Sequence, residues 1–234
     1  MWRLMFIGHF GLGLAAKRVS PRTSLGTLWM AAQFLDLIWP LLLLAGVERV
    51  EIDPGNTAVT PLDFVSYPIS HSLLAAMGWA FLFAGIYWIA THYNTGAFWV
   101  WLLVLSHWIL DAISHRPDLP LYPGSSHLIG WGLWSSRLDT VIVEGALFIW
   151  GAILYRRAAQ PRDGVGRYAF RTLVVFLVLV YLGNLLGPPP PNTRSVALLG
   201  LSGWLLIVWA YWIDRHRQVV VPRFEGEYSP ESQT

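Results

Sequence analysis

The sequence contains no cysteine and few charged residues. Without cysteine the chain has neither disulfides nor thiolate ligands, so any bound metal must be held by nitrogen and oxygen atoms. Only 13% of the residues are charged, whereas an average soluble domain has about 25%. So few charges cannot cover a water-facing surface, and this excludes a soluble globular domain.

Hydrophobic residues make up 55% of the 234 residues. They fall in runs close to the ~20 residues that a helix needs to cross a bilayer. We predict apolar segments at 2–16, 24–47, 69–90, 97–114, 138–155, 168–186 and 195–213. The first is short for a span and can tilt or re-enter the membrane. The expected fold is all-α, a polytopic transmembrane bundle of about six or seven spans that forms one domain over residues 1–218.

The basic residues predict the orientation of the bundle. Three basic clusters, within 17–22, 156–171 and 215–223, fall on one side of the membrane if all segments cross it. The positive-inside rule makes that side cytoplasmic. The polar tail, 219–234, is then cytoplasmic and is expected to be disordered. Because orientation explains the net charge of +2, we predict membrane lipid and no nucleic acid as partner.

Several ionisable side chains lie inside the apolar segments, where each charge costs roughly 2.5–3.5 kcal/mol on insertion scales. They are His9, Asp36, His71, His107, Asp111, Asp139 and Glu144. No segment places a Lys or Arg beside these carboxylates, although Arg137 could reach Asp139 or Glu144 from the end of its segment. In the predicted topology these residues can meet in the outer half of the bilayer.

The spacing of His107 and Asp111 puts an imidazole and a carboxylate on one helix face. Both can bind one cation, and His71 and Asp36 can complete the site from neighbouring helices. Such donors suit zinc, manganese or iron, and zinc with an open position activates water. The alternative is structural: His9 can be a hydrogen-bonded packing residue, and His107 can simply bond to Asp111.

These residues also carry a resemblance to a known family. The motifs are Gly8-His9, Asp36, Ser70-His71-Ser72-Leu73, and Ser106-His107 with Asp111. They resemble those of the YdjM type of inner-membrane proteins, which are described as metal-dependent hydrolases distantly similar to zinc-dependent phospholipase C. The resemblance implies a bacterial inner-membrane location and a divalent metal, zinc above all, held by His9, Asp36, His71, His107 and Asp111. Where the family often has Pro-Asp-x-Asp, this chain reads Phe34-Leu35-Asp36-Leu37, with one carboxylate fewer.

Three functions remain open from the sequence. The first is a metal-dependent hydrolase of a lipid-linked or headgroup ester or phosphodiester, with Glu144 or Asp139 as the catalytic carboxylate. The second is a transporter or ion pathway, which would also need polar groups at successive depths. The third is a membrane scaffold in which the same residues only lock helices together.

Overall fold

The computed structural model describes residues 7–220 of the chain. Its helices are α1 (Ile7–Ala16), α2 (Leu25–Ala32), α3 (Phe34–Leu44), α4 (Leu73–Thr91), α5 (Asn94–Ser114), α6 (Arg137–Ala158), α7 (Gly164–Leu186), α8 (Thr193–Leu201) and α9 (Gly203–Arg215). The strands are β1 (Arg49–Ile52), β2 (Leu62–Ser66), β3 (Leu119–Pro120), β4 (Leu128–Ile129), β5 (Ala159–Pro161) and β6 (Arg217–Val219). They form three antiparallel pairs, β1–β2, β3–β4 and β5–β6.

The helices confirm the predicted all-α transmembrane bundle. Within residues 7–220, α4, α5, α6, α7 and the α8–α9 pair are long and apolar enough to cross a membrane. The bent α2–α3 pair makes a sixth span if both helices are counted as one. The predicted tail lies outside the described residues from 221 onwards, and its first residue, Val219, belongs to β6.

Helix α1 is too short to be a seventh span by itself. Its ten residues rise ~15 Å, about half of the hydrocarbon core. Nine of the ten are buried, so α1 is enclosed by other helices and hardly faces lipid. Residues 2–6 of the predicted first segment lie outside the described part of the chain.

The predicted segment 24–47 is not one straight helix. Ser24 caps α2 by accepting a hydrogen bond from the backbone N–H of Thr27, but the helical dihedrals stop at Gln33 (φ −106°, ψ 6°). α3 then leaves at 58° to α2. A broken helix is tolerated at membrane depth when its freed backbone groups are buried in protein and find partners there. The break places Asp36 in the first turn of α3.

Two glycines allow α1 to cross α6 with the backbones in contact. A Cβ atom at Gly151 would come within 2.0 Å of the carbonyl oxygen of Gly11, and one at Gly11 within 2.6 Å of the carbonyl oxygen of Leu147. Small residues at helix crossings are typical of membrane bundles. This crossing fixes the position of α1, the helix that carries His9.

The two longest loops cover one end of the bundle. α4 and α5 form a helical hairpin, so the start of α4 and the end of α5 lie at the same end. The loop with β1–β2 enters α4 there, and the loop with β3–β4 leaves α5. Leu74 donates its N–H to Leu121, and Trp131 donates its N–H to Ala112. These bonds hold the second loop against the helix ends that carry the site.

Candidate metal centre

Four separate parts of the chain bring imidazoles and carboxylates together. α1 supplies His9, α3 supplies Asp36, the residues before α4 supply His71, and α5 supplies His107 and Asp111. Nε2 of His107 lies 3.3 Å from Asp111 Oδ2 and 3.7 Å from Asp36 Oδ1. Nε2 of His71 lies 3.6 Å from each of the same two carboxylates. The structure thus gathers all five predicted ligands in one place.

The break between α2 and α3 orients His107. The carbonyl oxygen of Ala32, at the end of α2, lies 2.8 Å from Nδ1 of His107. A carbonyl oxygen can only accept a hydrogen bond, so Nδ1 carries the proton. In the neutral ring Nε2 then presents its lone pair towards Asp111 and Asp36.

His71 is oriented by two residues that the sequence did not assign to the site, Glu48 and Ser70. The hydroxyl of Ser70 donates to Oε2 of Glu48 at 2.6 Å, which leaves its oxygen to accept from Nδ1 of His71 at 2.7 Å. Oε1 of Glu48 also accepts from the backbone N–H groups of Ile69 and Ser70, both at 2.8 Å. Glu48 is buried, so this chain of bonds fixes the Nδ1–H tautomer of His71 and turns Nε2 to the carboxylates.

His9 completes the cluster from the enclosed helix α1. Its ring stacks on that of His107, with centroids 3.9 Å apart and planes 7° from parallel. Its Nε2 lies 3.3 Å from Oδ1 of Asp111, but neither of its ring nitrogens has a hydrogen bond of acceptable geometry within the described residues. Nε2 of His107 is buried and equally without a hydrogen bond there.

This donor set fits a divalent cation. Two ligand atoms that each lie ~2.1 Å from one ion can be no more than ~4.2 Å apart, and the nitrogen–oxygen distances above meet that limit. Two groups, His9–His107–Asp111 and Asp36–His71–His107, each have their donor atoms within 4.8 Å of one another. Buried ring nitrogens without hydrogen bonds beside carboxylates are what a cation would satisfy. The groups could therefore hold a metal ion.

No basic residue neutralises the carboxylates of this cluster. Within residues 7–220, the ion pairs of Asp36 and Asp111 are with histidines alone. Four of the five residues are buried, while the side chain of Asp36 keeps 24% of its surface accessible. The cluster is thus accessible to solvent or to a ligand from the side of α3.

The two predicted catalytic carboxylates lie outside both groups of potential ligands. Glu144 is buried in α6, and its Oε2 accepts from the backbone N–H of Ile7 at 3.3 Å. A carboxylate at the start of α1 is favoured by the helix dipole, which gives Glu144 a structural role. Asp139 is exposed in the first turn of α6. Arg137, which the sequence suggested as a possible partner of these two carboxylates, donates to the carbonyl oxygen of Ala58. The catalytic role of both carboxylates stays a prediction.

A second polar cluster lies next to the site, in the loops that cover it. His115 and Asp118 are largely buried and bond to each other through Nδ1 and Oδ1 at 2.9 Å. Tyr67 donates to the same oxygen of Asp118 at 2.7 Å. Burial, together with the charge of Asp118, raises the pKa of Tyr67 well above its ordinary value of 10.0, so its hydroxyl stays a neutral donor. His127, farther along the same loop, is exposed.

The sequence model of the YdjM inner membrane protein family matches residues 4–187, most of the chain and all the parts that carry the cluster. The chain belongs to the YdjM inner membrane protein family. No curated protein and no solved structure matched it. YdjM membership and the apolar helices together identify a multi-pass membrane protein.

Proposed function

We propose that this YdjM-family chain is a membrane-embedded, metal-dependent hydrolase of a lipid-linked or headgroup ester or phosphodiester. The observation that carries the proposal is the cluster of three imidazoles and two carboxylates, with ring nitrogens aimed at carboxylate oxygens and, among the described residues, no hydrogen bond at His107 Nε2. His9, Asp36, His71, His107 and Asp111 would hold the metal, for which zinc is the first candidate. Such an ion, when bound, supplies Lewis-acid activation of water and of the ester oxygen.

The residues of the chain itself prepare the site for this chemistry. Ala32 and the Ser70–Glu48 pair fix the two imidazoles in the tautomer that presents Nε2. Burial of the cluster excludes bulk water, and this strengthens every charge interaction inside it. The accessible edge of Asp36 is the side from which a lipid headgroup would enter.

Glu144 is proposed as the general base in preference to Asp139, because it is buried on the helix that packs against α1. Glu144→Gln keeps the size of the side chain and removes its basicity. We expect this variant to retain the metal and to lose about 100-fold or more in turnover. Unchanged turnover would leave Glu144 with its structural role at the start of α1.

The central test measures metal and hydrolysis on the full chain in detergent. We expect co-purified zinc or another divalent metal, lost by at least about tenfold in His107→Ala. The control His127→Ala removes an exposed loop histidine and should keep the metal. Hydrolysis of phosphodiester-containing lipid in mixed micelles should stop on chelation and return with added zinc. Wild-type protein that neither holds a metal nor hydrolyses such lipids would contradict the proposal.

One observation favours a transporter as the second candidate. Buried Lys17 forms an ion pair with the partly buried Asp214, Nζ to Oδ1 3.0 Å, at the far end of α1. Lys17 follows His9 by eight positions, which correspond to ~12 Å of helical rise, so ionisable groups lie at two depths along this part of the chain. Buried Phe10 and Leu14 lie between them, which favours a closed site over a path. Flux into proteoliposomes that Asp111→Asn abolishes would support transport instead, and variants that lose only stability would support a scaffold.

A further inference from the structure

A groove between α6 and α7, at the end of the bundle opposite the metal centre, contains arginines without ion-pair partners. The groove has a volume of about 950 Å³, within the ~300–1,000 Å³ typical of ligand pockets. Arg156, Arg157, Arg167, Arg171 and Arg217 line one end of it. Within residues 7–220, none of these five forms an ion pair with a carboxylate.

The nearby carboxylates are engaged elsewhere. Asp163 caps α7 by accepting from the N–H of Gly166 and bonds to His216 at 2.8 Å. Asp214 pairs with Lys17. Among the described residues, no carboxylate therefore lies within ion-pair distance of the five arginines.

Arg217 forms the inner wall of this arginine cluster. It is buried, lies over the rings of Tyr155 and Phe170 with 5.1 and 5.0 Å to their centroids, and donates from Nη1 to Gly166 at 2.8 Å. Its Nε is buried without a hydrogen bond among the described residues. Burial, and the charge of Arg156 as a further cause, lower the pKa of Arg217. An anion in the groove would compensate the buried positive charge and offset the repulsion from Arg156.

The rest of the groove is apolar and runs along the membrane-spanning parts of both helices. On α6 it extends from Arg157 back to Phe148, nine residues or ~13 Å. On α7 it extends from Arg171 to Val178, seven residues or ~10 Å. The lining there consists of side chains such as Ile149, Val174 and Val175. An apolar lining of this length suits an acyl chain whose headgroup lies at the arginines.

We propose that the groove between α6 and α7 is a binding site for an anionic glycerophospholipid, with its phosphate at the arginines and an acyl chain along the apolar lining. Basic pockets between transmembrane helices on the cytoplasmic side are where anionic headgroups bind. The positive-inside rule assigns this end of the bundle to that side. The site is separate from the metal centre and would bind its lipid whether or not the protein is a hydrolase.

The test measures lipid retention by native mass spectrometry of the full chain. Phosphatidylglycerol and phosphatidylcholine with identical acyl chains are added to detergent-purified protein. We expect the wild type to retain phosphatidylglycerol preferentially, and Arg167→Gln/Arg171→Gln to bind it about tenfold more weakly or worse. Arg156→Gln/Arg157→Gln, on the other helix, should reproduce the loss. The control Arg18→Gln/Arg215→Gln removes two exposed arginines on the same predicted side, outside the groove, and should bind like the wild type.

Three results would overturn the proposal. The first is equal retention of both lipids by the wild type, and the second is an equal loss of phosphatidylglycerol binding in the groove variants and the control. The third is phosphatidylglycerol binding that appears only when Glu225, Glu227 and Glu231 are all changed to Gln, because the acidic tail would then be the occupant of the groove. Unfolding temperatures of all variants in detergent would identify any loss that comes from misfolding.

Discussion

At the scale of single residues, the orientation of each imidazole matters as much as its presence. A histidine can present either ring nitrogen, and the hydrogen bond made by the other nitrogen decides which one. In this protein Nδ1 of His107 is held by a backbone carbonyl and Nδ1 of His71 by a serine hydroxyl. Both Nε2 atoms therefore face the carboxylates before any ion arrives.

Removal of the Ser70 hydroxyl should weaken metal binding without removing a ligand. We expect Ser70→Ala to bind zinc about 10- to 100-fold more weakly, because His71 loses the acceptor that fixes its tautomer. Competition with a zinc chelator on the purified protein gives the affinity. Ser106→Ala is the matched control, since its hydroxyl donates to Leu103 within the same helix. Equal affinities of the two variants would show that Ser70 does not orient the site.

At the scale of elements, α1 holds its place through backbone contact with α6. The crossing of Gly11 and Gly151 leaves no room for a side chain on either helix. Because the neighbouring atoms belong to backbone carbonyls, no rotamer change can make space. The position of His9, two residues before Gly11, depends on this contact.

A side chain at the crossing should therefore displace α1. We expect Gly151→Val to reduce the free energy of unfolding by about 1–3 kcal/mol and to weaken metal binding as His9 moves. Gly145→Val on the same helix is the control, since a Cβ there meets nothing within 4 Å and the change in intrinsic helix propensity is the same in both variants. Denaturant unfolding in detergent measures the difference. Equal stability of both variants would contradict the close crossing.

At the scale of the whole molecule, the cap of loops and the arginine-rich groove lie at opposite ends of the bundle. The cluster of histidines and aspartates lies beneath the loops with β1–β2 and β3–β4, and the arginines lie where α6 ends and α7 begins. The positive-inside rule predicts that the arginines face the cytoplasm. The cluster of histidines and aspartates would then open towards the outer leaflet.

The absence of cysteine allows a direct test of this orientation. His127→Cys places a thiol in the exposed loop between α5 and α6, and Thr95→Cys places one at the exposed start of α5. We expect a membrane-impermeant maleimide to label the first in intact spheroplasts, and the second only after lysis. The cysteine-free parent chain controls for background. Labelling with the opposite pattern would reverse the predicted topology.

Much of the fold followed from composition and from the lengths of the apolar runs. Segments 69–90, 97–114, 138–155, 168–186 and 195–213 correspond to α4, α5, α6, α7 and α8–α9, since a span needs a fixed length of apolar chain. The break at Gln33 had no clear sequence signal. It became visible only with the partners, such as His107, that satisfy the freed carbonyl of Ala32.

The sequence by itself determined a membrane bundle and indicated which ionisable residues could form the cluster, because imidazoles and carboxylates at membrane depth are unfavourable unless they find partners. Only the tertiary structure decided which atoms face each other. Glu48 lies 22 residues from Ser70, so no local pattern linked it to His71. The arginines of the groove likewise came together only when α6, α7 and β6 packed against one another, since contacts between distant segments are fixed by packing and not by periodicity.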